Sequence, residues 1–219
     1  MLALLVVPED ADQGVSQRIF YIHVPIALTA YFCFALGAWK ALLLLWHGEE
    51  RYDLESYVAI HQGTIFGVLT LVTGSIWAKA SWSIWWTWSS KQLVLFLVLF
   101  LFYCAYFMLR FSLEDGPRRA RTCAVYALFG VVLIPISFLA IRLAQDFVHP
   151  VVFTRSGPQM SGSMFAAFCV SWAAVTLLAY VLYRVELLGK LVDARLRELR
   201  EALEARPQHR VRELTGVGS

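Results

Sequence analysis

The chain has 219 residues, of which 59% are hydrophobic and only 16% charged, and its formal net charge is +3. This composition excludes an ordinary soluble domain and predicts an integral membrane protein. The small positive charge does not indicate a nucleic-acid partner, because most of the lysines and arginines fall in segments predicted to lie on one side of a membrane.

The four cysteines stand singly in or beside apolar runs, and the sequence contains no C-x-x-C and no C-x-x-C-H. Structural packing is therefore their expected role, which argues against a thiol relay and against covalent attachment of haem. The absence of a Walker-type loop and of H-E-x-x-H leaves an ATPase or a zinc protease unsupported. We expect no enzymatic activity.

The amino-terminal residues 1–7 are apolar but too few to cross a bilayer, which takes about 20 residues. The acidic stretch 8–13 follows them, so no cleavable signal peptide is recognisable, and we expect residues 1–7 to be the last turns of a further helix. The first complete span is predicted at 24–46, with His23 at its mouth.

Four more apolar runs predict spans at 57–77, 93–109, 122–141 and 164–183. The expected fold is an all-α, polytopic membrane bundle with five complete spans, forming one membrane domain over residues 1–183. Segments on the predicted outer side carry five cations, which leaves fourteen of the 19 lysines and arginines inside; the outer five are Arg18, Lys79, Lys91, Arg142 and Arg155. This asymmetry predicts an outer amino terminus and an inner carboxyl terminus.

Five of the eight tryptophans lie in the run W-A-K-A-S-W-S-I-W-W-T-W, within an outer loop predicted at 77–91. They are Trp77, Trp82, Trp85, Trp86 and Trp88. An interfacial aromatic belt is one interpretation, since indole suits the headgroup region. Five in twelve residues exceed what anchoring two helices requires, which favours a binding surface for something flat, large and apolar.

Two histidines share the outer side with the tryptophans. His23 precedes the first span and His149 follows the fourth, and each lies close to a proline. An isolated interfacial histidine is more often a satisfied polar residue than a ligand, but this shared placement favours ligands. His61 lies toward the inner end of the second span and is expected to pack rather than to bind.

Residues 184–206 change abruptly in composition and carry leucines on one helical stripe, which predicts a cytoplasmic amphipathic helix ending before Pro207. Residues 207–219 are predicted to be disordered. The helix could be a solvated extension of the last span, or it could dock on a partner or on the inner leaflet.

These motifs resemble a known family. The run T-G-S-I-W-A-K-A-S-W-S-I-W-W-T-W at 73–88, Y-I-H-V-P at 21–25 and V-H-P at 148–150 resemble the CcmC-type haem-handling proteins of cytochrome c maturation. The similarity covers roughly residues 8–183. Family members have six spans, so the resemblance implies that one more helix precedes the first span here.

The resemblance implies a multi-pass protein of the bacterial inner membrane that binds haem b non-covalently on its periplasmic face. His23 and His149 match the family's axial ligands of the haem iron, and Trp82, Trp85, Trp86 and Trp88 match its signature tryptophans. The implied partners are haem, a periplasmic haem chaperone, subunits of an ATP-binding cassette (ABC) transporter, a small accessory membrane protein and membrane lipid. No nucleic acid is implied.

The residue types suit haem on chemical grounds as well. Porphyrin is a flat apolar plate with two carboxylates at one edge, so it needs aromatic faces, axial nitrogen ligands and cations at its rim. Imidazole has a lone pair available at neutral pH because its usual pKa is about 6.5. The candidate partners for the propionates are Lys79, Lys91, Arg142 and Arg155, and Trp77 and Ser89 complete the candidate site.

The sequence departs from the family pattern at three places. Ser89 stands where an aspartate usually ends the signature, and Ser83 stands where glycine is usual. An aromatic pair common before the second histidine is missing, with Leu143 and Ala144 in that neighbourhood. These changes bear on transfer of haem to the chaperone more than on haem binding.

Two other function classes stay open at the level of sequence. A subunit that moves haem across the membrane should line its spans with polar residues, and few occur here. A scaffold could use the tryptophan-rich loop only to dock a partner. A haem-dependent absorbance band distinguishes a haem-binding protein from both.

Overall fold

The computed structural model describes residues 14–144, 153–154, 157–158 and 160–215, with the backbone alone described for 141–144, 153–154 and 205–215. A short 3-10 helix, Val15–Ile19, leads into α1, Phe20–His47. The other helices are α2, Glu50–Trp82; α3, Lys91–Ser112; α4, Pro117–Ala144; and α5, Gly162–Thr215. Two-residue strands, β1 at Phe153–Thr154 and β2 at Gly157–Pro158, pair antiparallel between α4 and α5.

Each of the five helices contains a stretch long and apolar enough to cross a membrane. The predicted all-α polytopic bundle with five spans is therefore confirmed. We call the end of the bundle that carries residues 77–91 the tryptophan end. That this end faces the outer compartment stays a prediction from the charge asymmetry.

Glycines allow α1 and α2 to pack closely. A Cβ added at Gly37 would lie 2.5 Å from Cγ1 of Ile60, and one added at Gly63 would lie 2.6 Å from Cδ1 of Phe34. Both distances are too short for a real side chain, so only glycine permits this approach. Small residues at helix contacts are the usual device for packing in a membrane, where lipid removes the hydrophobic drive between helices.

The core of the bundle lies between α1, α2, α3 and α4. The rings of Phe34 and Tyr103 stack there with centroids 4.1 Å apart and planes 4° from parallel. Ile60 and Leu99 are completely buried beside them. By contrast, α5 packs mainly along α1 and α2 and leaves most of the surface of its described residues outside this core.

The predicted loop 77–91 begins too early. Helix α2 continues to Trp82, so Trp77 and Trp82 are helical, and the true loop is residues 83–90. The reason is local, because the alanines and lysine between these tryptophans favour helix and nothing breaks it before Ser83. Ser90 then caps α3 by accepting a hydrogen bond from the Leu93 amide at 3.4 Å.

The carboxyl-terminal prediction is wrong in its boundaries. Helix α5 runs without a break from the last span through Pro207 to Thr215, so no separate helix ends before that proline. The helix includes residues 207–215 of the predicted tail, and 216–219 lie outside the described residues. Good helix formers flank Pro207 on both sides, and they allow the helix to continue although proline removes one backbone hydrogen bond.

Candidate functional site

His23 lies in the first turn of α1 at the tryptophan end and is only 7% exposed. Its Nδ1 is 3.0 Å from the hydroxyl oxygen of Thr73, and its ring centroid is 5.6 Å from that of Trp77. Thr73 and Trp77 are four residues apart, so both project from one face of α2. The structure thus brings a predicted histidine ligand and a predicted tryptophan into direct contact.

Gly74 makes room for the imidazole. A Cβ added there would lie 2.9 Å from Cε1 of His23 and 3.6 Å from its Nε2. The ring therefore packs directly against the α2 backbone. Any larger residue at position 74 would push His23 away from Thr73 and Trp77.

A small aromatic cluster surrounds this contact. Trp77 is buried, and its ring centroid lies 6.1 Å from Phe20 and 6.0 Å from Trp82. Phe20 in turn lies 5.6 Å from Phe168 of α5. The cluster fixes α1, α2 and α5 relative to one another at the tryptophan end, so the position of His23 depends on three helices.

The other three tryptophans lie in the loop, where Trp85 and Trp88 face outward and Trp86 is half-buried. Trp85 and Trp88 are 59% and 73% exposed, and Trp88 meets Trp86 edge to face with centroids 5.6 Å apart. The Nε1 of Trp86 is buried and has no hydrogen-bond partner within the described part of the chain. A buried N–H without an acceptor is costly, so this loop offers apolar faces together with an unused donor.

The family model described as "Heme exporter protein C" (CcmC) matches residues 1–202. The chain belongs to this family. Its members handle haem in cytochrome c biogenesis, and the five apolar helices agree with a multi-pass membrane protein.

Several curated relatives support the assignment. A "Heme exporter protein C" of Bradyrhizobium diazoefficiens is 29% identical over 193 residues, which cover 88% of this chain and 73% of the relative. One of Escherichia coli K12 is 34% identical over 59% of this chain and 52% of its own length. A "Putative cytochrome c biosynthesis ccmC-like mitochondrial protein" of Arabidopsis thaliana is 26% identical over 94% of this chain and 79% of its own length. The chain therefore spans about half to four fifths of these relatives.

The structure explains one departure from the family pattern. Ser83 ends α2 in the left-handed conformation, with φ 59° and ψ 17°, and its amide donates to the Lys79 carbonyl at 3.1 Å. Glycine adopts this conformation without strain, which suits the glycine that the family resemblance implies at this position. Ser89, at a second departure, is exposed, and its hydroxyl lies 2.7 Å from that of Thr87.

The structure describes the side chains of only two of the four cations predicted to bind the propionates. Lys79 donates to the Ser83 carbonyl at 3.2 Å, and its Nζ lies 6.0 Å from the centre of the Trp85 ring. Lys91 is exposed at the first position of α3. Arg142 lies in α4, where the backbone alone is described, and His149 and Arg155 lie outside the described residues. The structure thus places Lys79 beside Trp85 and Lys91 where the tryptophan-rich loop joins α3.

His61 lies about 24 Å of helix rise from Trp77 along α2. Its Nδ1 is 2.9 Å from both carboxylate oxygens of Glu186 in α5, and Gln62 donates to the same carboxylate at 2.8 Å. These contacts join α2 to α5 at the opposite end of the bundle. In the described part of the chain no three His, Cys, Asp or Glu side chains cluster as a metal site.

Sequence reasoning missed three residues of the site. Thr73 and Gly74 contact His23 directly, and Phe20 supports Trp77. One signal was available for Thr73, because it precedes Trp77 by four residues and so shares its helix face. The contact with His23 itself joins positions fifty residues apart, and it depends on the relative register of two helices.

Proposed function

We propose that the protein binds haem non-covalently at its tryptophan end and presents it to a periplasmic haem chaperone, as a binding protein rather than an enzyme. His23 is one axial ligand and His149 the other. The observation that carries this proposal is the contact of His23 with Trp77 over Gly74, beside a loop with exposed indoles.

The chemistry of this end fits haem. The exposed faces of Trp85 and Trp88 supply apolar area for a porphyrin, and burying such area contributes about 25 cal/mol per Å². Lys79 and Lys91 supply positive charge beside those indoles for the propionates. The buried Nε1 of Trp86, which has no acceptor within the described part of the chain, is a further donor for the propionates once the loop moves aside.

Access to His23 must change when haem binds. Because the ring is only 7% exposed, iron can reach it only after neighbouring side chains at the tryptophan end move aside. The outward-facing loop 83–90 gives haem a first contact surface before that movement. Binding in two steps, first at the loop and then at His23, suits a protein that must also release its haem.

The partners proposed for this function are an ABC transporter, a small accessory membrane protein and the chaperone. On the side opposite the tryptophan end, helix α5 projects as an extension whose leucine stripe is exposed: Leu188, Leu191, Val192, Leu196, Leu199 and Leu203. The helix is continuous with the last span, so the extension leaves the membrane along its own axis. This direction favours contact with a cytoplasmic protein partner over docking on the inner leaflet.

Absorption spectroscopy tests the proposed function. The full chain is purified in detergent from a haem-sufficient host, and oxidised and reduced spectra are recorded. We expect a low-spin spectrum of bis-histidine haem b that is lost on acid–organic extraction, since the haem is not covalently held. Protein without any haem band, after reconstitution with added haem, would overturn the proposal and favour the scaffold.

A further inference from the structure

The hydroxyl of Thr73 has three partners, and its hydrogen cannot serve both a backbone carbonyl and the histidine. It lies 2.7 Å from the Leu69 carbonyl oxygen, 3.4 Å from the Thr70 carbonyl oxygen and 3.0 Å from Nδ1 of His23. A carbonyl can only accept, and two oxygens 2.7 Å apart need a hydrogen between them. The hydroxyl therefore donates to Leu69, and its oxygen accepts a hydrogen bond from His23.

This assignment determines the tautomer of the histidine. When Nδ1 is the donor, neutral imidazole carries its hydrogen on Nδ1 and its lone pair on Nε2. We infer that Thr73 is a positioning residue, which holds His23 in the tautomer and orientation whose Nε2 coordinates haem iron. The inference rests on the proposed function for its purpose, although the tautomer itself can be tested without haem.

The surroundings of Thr73 make it a rigid acceptor. Its β-branched side chain is restricted about χ1, and the bond to Leu69 holds the hydroxyl against its own helix. The neighbouring Gly74 lets the imidazole approach the helix closely enough to donate. Histidines that bind metals usually donate their other ring N–H to such a partner, and loss of the partner lowers metal affinity 10–100-fold or so.

Nitrogen NMR of the full chain, labelled with 15N-histidine and prepared without haem, tests the tautomer directly. The His23 signals are identified as those missing from His23→Gln. We expect wild-type and Thr73→Ser protein to show a protonated Nδ1 and an unprotonated Nε2. Thr73→Val removes the acceptor at nearly constant volume, so the Nε2-protonated form should increase. An unchanged tautomer in Thr73→Val would overturn the inference.

The matched control is Thr70→Val. Thr70 is a buried threonine three residues earlier on α2, and it donates to the Phe66 carbonyl at 2.8 Å. Thr70→Val also removes one threonine hydroxyl from α2, so it should affect stability as Thr73→Val does. It should leave the His23 tautomer unchanged.

Haem titration then separates this inference from the proposed function. We expect Thr73→Val to weaken haem binding about 10–100-fold, with Thr73→Ser and Thr70→Val close to wild type. If His23→Gln abolishes binding while Thr73→Val binds haem normally, Thr73 has no positioning role and the proposed function stands. If His23→Gln itself binds haem with a normal spectrum, the proposed ligand is wrong, whatever the NMR shows of the tautomer.

Discussion

Arg110 and Asp53 form a two-point ion pair between α3 and α2 at the end of the bundle opposite the tryptophans. The two guanidinium nitrogens, Nη1 and Nη2, donate to the two carboxylate oxygens at 2.8 and 2.6 Å. The pair is largely buried; Nη1 of Arg110 also donates to the Tyr106 hydroxyl at 3.3 Å, and the guanidinium lies over the Tyr57 ring. Geometry of this kind is what a buried pair needs to offset the loss of solvent.

Removing one member of this pair should destabilise the bundle. Asp53→Ala leaves the Arg110 charge buried without compensation, which costs about 3–5 kcal/mol. Thermal unfolding in detergent, followed by tryptophan fluorescence, measures the loss. The control is Glu198→Ala, which breaks an exposed pair with Arg195 and should leave the melting temperature unchanged. Equal shifts for the two variants would contradict the expectation.

The axial ligands are tested by replacement. His23→Ala or His149→Ala should leave a weakly bound haem whose spectrum is no longer low-spin, because the tryptophans still contribute burial. The double variant should bind no haem specifically. His61→Ala alters the opposite end of the bundle and should keep the wild-type spectrum. A normal spectrum in the double variant would exclude both ligands.

Gly74→Ala should disturb haem binding through the histidine. The added Cβ meets Cε1 of His23 at 2.9 Å, so the ring must shift away from Thr73. We expect altered haem affinity together with a stability loss of about 1–3 kcal/mol from overpacking. Gly67→Ala is the matched control. Gly67 lies on the same helix as Gly74, and a Cβ added there would lie 2.8 Å from Cδ2 of Phe100 in α3. It should lower stability similarly and leave the haem spectrum unchanged.

Ser83→Gly should stabilise the protein. The left-handed backbone at Ser83 costs an ordinary residue about 1 kcal/mol, and glycine avoids that cost. Ala80→Gly, three residues earlier inside the helix, should instead destabilise by about 1 kcal/mol. Chemical denaturation of both variants checks the opposite signs, and a loss of stability in Ser83→Gly would contradict the assigned strain.

Deletion of residues 193–219 should separate assembly from haem binding. The described side chains of this segment, 193–204, are all exposed, so their loss exposes no core. We therefore expect normal haem content and weaker copurification of membrane partners. Loss of haem would show that the extension supports folding of the membrane domain.

The membrane spans could be predicted from sequence, because a bilayer requires long apolar runs and few other structures produce them. Helix ends were harder to predict. Trp77 and Trp82 were assigned to the loop because all five tryptophans were treated as one motif. The alanines between these two instead extend α2 to Trp82. Because proline ends most helices, a break was expected at Pro207, but α5 continues through this residue.

The pairing of His23 with Thr73 could not be predicted in the same way. A threonine in a membrane helix usually bonds its own backbone, as Thr64 and Thr70 do here. Only the close packing of α1 on α2, permitted by their glycines, brings the imidazole to this particular hydroxyl.

The length of α5 gives the molecule a mechanical property. Its ring contact at Phe168 and its carboxylate contact at Glu186 are eighteen residues apart, and Glu204 lies eighteen residues further on, so each arm is about 27 Å long. The span between these contacts is held in the bundle, where Ala179 is buried in the core, whereas every described side chain from Leu191 to Glu204 is exposed. A change in tilt of the span at the tryptophan end is therefore carried along the continuous helix into its exposed extension. Phe168 touches Phe20, three residues before His23, so a rearrangement around that histidine is mechanically linked to the far tip of the helix.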